Sequence, residues 1–172
     1  ESIKKLYAWG SWKQGEFRFA GIDLVQKDDM SIVLDQQFYA DELTLLDLPG
    51  EQPGDDSLLL SHQDHKFLKS KLGALQWLAV QTRPTLVART NLLLSEVRVG
   101  GPYSLMKETQ DLLKEAKKPP ESSSITMQTF SGVDDWRQLC PYVFCDASLR
   151  NRHDLHSTGG LFACLGPVVG LD

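Results

Sequence analysis

The sequence predicts an α/β fold, with an N-terminal β-hairpin and helices, a middle of three helices and a partial sheet at the C-terminus. Alternating apolar and polar residues before residue 35 predict the hairpin. Apolar residues at three- and four-residue steps between residues 61 and 118 predict the helices. Aromatic and β-branched runs after residue 124 predict the sheet. The 172 residues, 41% apolar and 24% charged, have the composition of a folded domain and not of a disordered or fibrous chain.

The N-terminal part is predicted to contain a short helix, a hairpin and a second helix. The first helix covers residues 3–9. In the hairpin, residues 17–25 and 31–34 flank a turn signal at Lys27, Asp28 and Asp29. The second helix covers residues 36–46, where apolar residues are surrounded by helix formers. Residues 48–56 are rich in Pro, Gly and acidic residues, which predicts a linker.

Three helices are predicted in the middle of the chain. Ser61 has the side chain of an N-cap and is followed by an acidic residue at the third helical position. Pro84 suits the first turn of the second helix, which residues 100–102 end. Ser104 is predicted to cap the third helix, and residues 117–120 end it. The leucine-rich faces of these helices predict one shared core.

The C-terminal part is predicted to be extended. Residues 121–124 form a low-complexity hinge, and strands are predicted at residues 125–130, 142–146 and 158–165. The second of these strands delivers Asp146 at its C-terminal end. Enzymes of phosphoryl transfer place a Mg²⁺-binding carboxylate at such a point, but strands also end in Asp because Asp favours turns. Both interpretations are open at this stage.

Other candidate metal ligands are weaker. Two His-x-x-His pairs begin at His62 and His153, and the alternative to zinc binding is that they are surface or capping histidines. Cys140 and Cys145 stand five residues apart on a predicted strand, so they point to opposite faces and do not share one ion. The odd number of cysteines favours reduced thiols and an intracellular location, either cytoplasmic or nuclear.

The net charge of −5 conceals an uneven distribution. Residues 1–60 hold 5 basic and 12 acidic side chains. Residues 61–118 hold 10 basic and 5 acidic side chains, and residues 119–172 hold 3 basic and 6 acidic side chains. A basic middle indicates contact with a polyanion, and the alternative is the solvated face of ordinary helices. No apolar run approaches the roughly 20 residues of a membrane-spanning helix, and no signal-peptide core is present at the start. We therefore expect no membrane partner and an internal part of a longer protein.

Three groups of residues are similar, in order and spacing, to the copia-type LTR retrotransposon Pol polyprotein. They are residues 15–22 with 37–39, residues 72–79 with 82–84 and 91–93, and residues 144–148 with 157–162. The most specific is the leucine-rich segment at residues 72–79, which is followed by Thr82-Arg83-Pro84. The resemblance implies that residues 1–118 are the C-terminal part of reverse transcriptase with its joining helices. It implies a hinge at residues 119–124 and a truncated RNase H-like domain at residues 125–172.

The family carries out RNA-directed DNA synthesis and Mg²⁺-dependent cleavage of RNA–DNA hybrids, so the resemblance implies Mg²⁺ as cofactor and a hybrid as partner. Asp146 matches the first metal-binding carboxylate of RNase H, and the other carboxylates are expected beyond Asp172. The family has Asp where this chain has Thr85 and Ser148, which indicates a divergent copy. We therefore expect the chain to be inactive alone. The alternative is a non-catalytic retroelement remnant that binds nucleic acid or protein, and the oligomeric state is left open.

The basic helices are expected to contact the phosphate backbone of the hybrid, because basic side chains add affinity without reading sequence. Trp77 has the side chain of a base-stacking platform, but its position between Leu75 and Leu78 favours core packing. The residues expected to bind nucleic acid are Lys66, Lys69, Lys71, Arg83 and Arg89.

Overall fold

The computed structural model describes residues 13–48, 59–119, 124–130, 132–148 and 158–168. The chain divides into two compact units between Met127 and Gln128. The expected α/β class is confirmed. The helix expected at residues 3–9, most of the linker at residues 48–56 and most of the hinge at residues 121–124 lie outside the described residues.

The first unit contains a four-stranded antiparallel sheet in the order β1-β2-β3-β4. These strands are Glu16–Phe19, Ile22–Gln26, Ile32–Asp35 and Ile125–Met127. The region expected to form one hairpin therefore forms three strands. A fourth strand joins it from a segment that we expected in the C-terminal domain, because Leu34 of β3 pairs with Ile125 of β4.

The long strand expected at residues 17–25 is divided by a tight turn at Ala20 and Gly21. Phe19 pairs with Ile22, which leaves a loop of two residues. Both loop residues have positive φ, 50° for Ala20 and 78° for Gly21. Two positive φ values in a two-residue loop characterise a type I′ turn, the geometry that matches the twist of a hairpin. Gly21 adopts this conformation without strain, whereas Ala20 does not.

Ala20→Asn is expected to stabilise the first unit by about 0.5 to 1 kcal/mol, because Asn tolerates the left-handed region and Asn-Gly is the preferred type I′ pair. Urea unfolding monitored by circular dichroism measures the change. Ala20→Val is the control and is expected to destabilise, because a β-branched side chain is disfavoured at positive φ. A stabilising valine together with a destabilising asparagine would contradict this turn geometry.

The loop between β2 and β3 is closed by Asp29. One of its carboxylate oxygens accepts hydrogen bonds from the backbone N–H of Ser31, at 3.0 Å, and from the Ser31 hydroxyl, at 2.6 Å. The hydroxyl bond and then the backbone bond lower the pKa of Asp29 below its ordinary value. Because the folded pKa is lowered, this carboxylate contributes stability above the unfolded pKa, and the contribution disappears as the pH falls through the folded pKa.

Asp29→Asn is therefore expected to destabilise the protein near neutral pH and to have a smaller effect in acid, below the lowered pKa of Asp29. Unfolding free energies of both proteins across the acidic range measure the difference. Asp28→Asn is the control, because Asp28 is an exposed neighbour in the same loop. A destabilisation by Asp29→Asn that is equally large in strong acid would contradict the role of its carboxylate.

The described residues contain four α-helices in the order expected from sequence, and the three-helix middle is present. They are α1 (Gln37–Glu42), α2 (His62–Gln81), α3 (Val87–Glu96) and α4 (Ser104–Lys117). A 3₁₀ turn at Pro84–Leu86 leads into α3, as the proline predicts. Helix α1 ends earlier than expected because Leu43 is extended, and both Leu43 and Leu46 are buried in the core.

The helix starts differ in how they are capped. The Ser61 hydroxyl accepts a hydrogen bond from the backbone N–H of Asp64 at 3.2 Å, and the Asp64 carboxylate accepts one from the backbone N–H of Ser61 at 3.0 Å. This capping box confirms Ser61 as an N-cap. The expectation for Ser104 was wrong, because Ser104 is the first helical residue and Tyr103 precedes it without a side-chain cap.

The core of the first unit is formed by the helices and the segments beside them. Every buried apolar residue in the described ranges lies between Ala40 and Ala116. Helices α2 and α4 each contribute five of the buried apolar residues, and the leucines of α2 recur at three- and four-residue steps along one side. The fully buried residues of α2 are Leu68, Leu72, Leu75, Leu78 and Ala79.

The second unit is built around a two-stranded antiparallel hairpin of β5 (Leu139–Ser148) and β6 (Thr158–Pro167). Both strands expected from sequence are present and are longer than expected. A 3₁₀ turn at Trp136–Gln138 precedes β5. Large apolar side chains remain exposed on the hairpin, including Phe144 at 60% and Phe162 at 59%, whose ring centroids lie 6.2 Å apart.

Candidate nucleic-acid interface and strand-borne carboxylate

Helix α2 presents an exposed stripe opposite its buried leucines. The members of this stripe recur at three- and four-residue steps, so they share about a quarter of the helix circumference. All of them are exposed, Trp77 at 40% and Val80 at 59%. We call this stripe the α2 face, and it consists of Lys66, Lys69, Gly73, Trp77 and Val80.

Charge and shape vary along the α2 face. Lys66 and Lys69 lie toward its N-terminal end, and no hydrogen bond or ion pair engages either ammonium group within the described part of the chain. Gly73 lies in open space, because a Cβ built there would meet no atom within 4 Å. Trp77 follows Gly73 one turn later on the same side of the helix and is 40% exposed. The face therefore combines two available cations with a flat, open apolar surface.

Trp77 is placed differently from the expectation. We expected it to pack in the core with Leu75 and Leu78, and both leucines are fully buried. Trp77 itself is 40% exposed, because successive residues of a helix are rotated by about 100° and residue 77 falls on the opposite side. The signal was present in the sequence, since Trp77 is in helical phase with Lys66 and Gly73 and not with the leucines.

Lys71 and Arg89 are engaged by the protein itself. The ammonium of Lys71 donates to the hydroxyl of Thr44 and lies 5.3 Å from the ring centroid of Phe67. The guanidinium of Arg89 forms an exposed ion pair with Glu115. Neither side chain belongs to the α2 face. Of the five basic residues expected to bind nucleic acid, Lys66 and Lys69 are the two that share this face.

The role expected for Arg83 requires a correction. We expected it to contact nucleic acid, but its side chain is 5% exposed. Its guanidinium donates to the backbone carbonyls of Ala116 and Lys118 and, at 2.7 Å, to the side-chain oxygen of Gln37. Burial lowers the pKa of Arg83, and the carboxylates of Asp35 and Asp41 act in the opposite direction. A buried guanidinium that is committed to internal acceptors does not bind phosphate.

The histidines at the start of α2 lie beside the lysines. The ring centroids of His62 and His65 are 6.2 Å apart. Burial and then the cationic groups of Lys69, His62 and Lys66 lower the pKa of His65. A lowered pKa keeps His65 neutral near neutral pH, so it adds no charge to the α2 face there. The described residues contain no group of three or more His, Cys, Asp or Glu that could hold a metal ion.

Asp146 lies near the end of β5, in the second unit. It is exposed and pairs across the hairpin with Gly160, where a Cβ would meet no atom within 4 Å. The exposure of Asp146 and the open space at Gly160 leave one side of the carboxylate accessible. Cys145, next to Asp146, points to the other face of the hairpin, and Cys140, Cys145 and Cys164 are all free thiols. The second histidine pair, His153 and His156, lies outside the described residues.

None of the helices in the described ranges is both long enough and apolar enough to cross a membrane. Comparison of the sequence with protein-family models, with curated proteins and with solved structures finds no match.

Proposed function

We propose that the chain is part of a copia-type retrotransposon Pol polyprotein and that it binds the RNA–DNA hybrid of template and primer through the α2 face. The observation that carries the proposal is the composition of that face, in which two lysines without an ion-pair partner among the described residues are followed by an open glycine and an exposed tryptophan. These residues lie opposite the buried leucines of the same helix, so the core holds them in a fixed arrangement.

The chemistry of the α2 face suits a nucleic-acid backbone. Lys66 and Lys69 are separated by about 4.5 Å along the helix axis, and Trp77 lies about 12 Å beyond Lys69. Ammonium groups at the N-terminal end pair with phosphates and release counterions. The flat surface at Gly73 and Trp77 packs against sugars in the wide, shallow minor groove of an A-like duplex. Both contacts are independent of base sequence, as a polymerase requires.

The RNase H reaction of the family is not proposed for this chain alone. Two Mg²⁺ ions need several carboxylates, and Asp146 is the one carboxylate that the resemblance assigns to the metal site within this chain. The described residues therefore do not fit a two-metal site, and hydrolysis requires ligands from outside the chain. We propose that Asp146 contributes one metal ligand when the remaining carboxylates are supplied by the rest of the polyprotein.

The double substitution Lys66→Glu with Lys69→Glu is expected to weaken hybrid binding at least tenfold at low salt. The magnitude of the slope of log K against log salt is also expected to fall by between about 1 and 2, because each phosphate contact contributes about 0.7 to 0.9 to that slope. Fluorescence anisotropy with a labelled RNA–DNA hybrid at several salt concentrations measures both quantities.

The matched control for this experiment is Lys107→Glu with Lys114→Glu, which changes the net charge equally on exposed positions of α4. If both pairs reduce affinity and slope equally, binding follows net charge and the α2 face is not the site. Trp77→Ala should lower affinity with an unchanged salt slope, and Trp77→Phe should retain most of the affinity.

A cleavage assay separates binding from catalysis. The chain with Mg²⁺ is expected to leave the RNA strand of the hybrid intact, because a single carboxylate does not hold two ions. Cleavage that Asp146→Asn abolishes would contradict this expectation and make the chain an enzyme. If the folded chain neither cleaves nor binds the hybrid, the proposed function is wrong. The alternative of a remnant that interacts with protein then takes its place.

A further inference from the structure

The chain passes between the sheet and the helices of the first unit at two places. It leaves β3 for α1 at Gln36, and it returns from α4 toward β4 after Lys117. The guanidinium of Arg83 joins these places, because it donates to Gln37 at the start of α1 and to the carbonyls of Ala116 and Lys118 at the end of α4. Arg83 is thus bonded to segments that lie 46 and 35 residues away in sequence.

Two further contacts surround Arg83. The buried hydroxyl of Thr82 donates to the side-chain oxygen of the buried Gln36 at 3.0 Å. The ammonium of Lys117 donates to the carbonyls of Ala40, Asp41 and Leu43, at 3.4 Å and 2.8 Å for the first and last, at the C-terminal end of α1. We call this set of residues the clasp, and it consists of Gln36, Gln37, Thr82, Arg83 and Lys117.

Two residues of the clasp lie at the C-terminal end of α2. Thr82 is the C-cap of that helix and Arg83 follows it directly. The segment that receives their hydrogen bonds also holds the middle of α2, because the Tyr39 hydroxyl donates to the carbonyl of Ala74 at 3.3 Å. The middle and the C-terminal end of α2 are therefore both bonded to one short stretch, residues 36–39, which directly follows β3 in the chain.

An arginine is chemically suited to this position. Its planar guanidinium fixes the directions of several N–H groups at once, whereas an ammonium is a compact charge on a flexible stem. Two acceptors at the end of α4 are carbonyls that have no partner within the helix, and a cation is favourable at that end of the helix dipole. Because the acceptors belong to separate segments, their relative position is set by the geometry of one rigid group.

We propose that Arg83 is a positioning residue that fixes the angle between the β1–β4 sheet and the helices, and thereby sets where the α2 face meets the hybrid. The second part of this inference rests on the proposed function, whereas the first part does not. Arg83 makes no contact with the hybrid itself, so its substitution is expected to change the geometry of the surface and not the number of phosphate contacts.

Spin labels on either side of the clasp test the first part. Labels at Gln26→Cys on β2 and Lys107→Cys on α4 report the distance between sheet and helices, after Cys140, Cys145 and Cys164 are replaced by serine. Both labelled positions are exposed. Arg83→Met is expected to broaden the distance distribution clearly, Gln37→Ala to broaden it less, and Arg83→Lys to recover part of the original width. Circular dichroism confirms that each variant is folded.

Leu93→Ala is the control for general loosening, because Leu93 is buried in α3 and lies outside the clasp. It is expected to lower stability and leave the distance distribution unchanged. The inference is overturned if the distance distribution of Arg83→Met matches that of the parent protein. It is also overturned if Leu93→Ala broadens the distance distribution equally. This result does not depend on hybrid binding, so it is separate from a failure of the proposed function.

Hybrid binding tests the second part. Arg83→Met is expected to weaken binding five- to tenfold with an unchanged salt slope, because Lys66 and Lys69 still supply their charges. A reduced slope would mean that Arg83 contacts phosphate directly and would overturn its assignment as a positioning residue. Unchanged affinity together with a broadened distance distribution would overturn the link between the clasp and the hybrid.

Discussion

Arg83→Met is expected to lower the free energy of unfolding of the first unit by about 2 to 3 kcal/mol. The methionine fills a similar volume and avoids the cost of burying a cation, which favours the variant. Against this, the carbonyls of Ala116 and Lys118 and the side-chain oxygen of Gln37 lose their donor. Hydrogen bonds from a charged donor are worth about 1.5 to 3 kcal/mol, and the buried carbonyl of Ala116 keeps its desolvation cost when it is left without a donor. The second effect is larger.

Arg89→Met is the matched control for this prediction, since it removes the same side chain from the same part of the chain. Arg89 is exposed and pairs with Glu115 at the surface, where an ion pair contributes at most about 1 kcal/mol. Urea unfolding of both variants gives the comparison. A loss in Arg83→Met no greater than the loss in Arg89→Met would show that the buried hydrogen bonds of Arg83 do not support the fold.

The helical middle could be predicted from sequence because its signals are local. Leucines at helical spacing define the buried side of α2, and Ser61 with Asp64 defines its start. The turn at Ala20 was missed for a local reason as well. Alanine carries no preference for a left-handed conformation, so the sequence predicts one longer alternating strand where the structure has two short strands.

The role of Arg83 could not be predicted, because nothing near it in sequence distinguishes it from the exposed basic residues. Its burial follows from acceptors contributed by Gln37 and by the end of α4, which only the tertiary structure brings together. The place of β4 depends on distant contacts too, since Ile125 pairs with Leu34. Lys66 and Lys69 are exposed, because the leucines of α2 determine which side of that helix faces solvent, and their expected contact with nucleic acid stays a prediction.

The contrast between the buried and the exposed side of α2 leads to the largest stability effect that we expect. Leu72→Ala is expected to destabilise the first unit by about 3 kcal/mol, because it removes a fully buried side chain and leaves a cavity that the helices fill only in part. Val80→Ala on the α2 face is the control and is expected to change stability by less than about 0.5 kcal/mol, since Val80 is 59% exposed and alanine is the better helix former. Thermal and urea unfolding measure both variants. Similar losses would mean that Val80 is covered by other parts of the chain. The α2 face would then not be open to a nucleic acid, and the proposed mode of hybrid binding would fail with it.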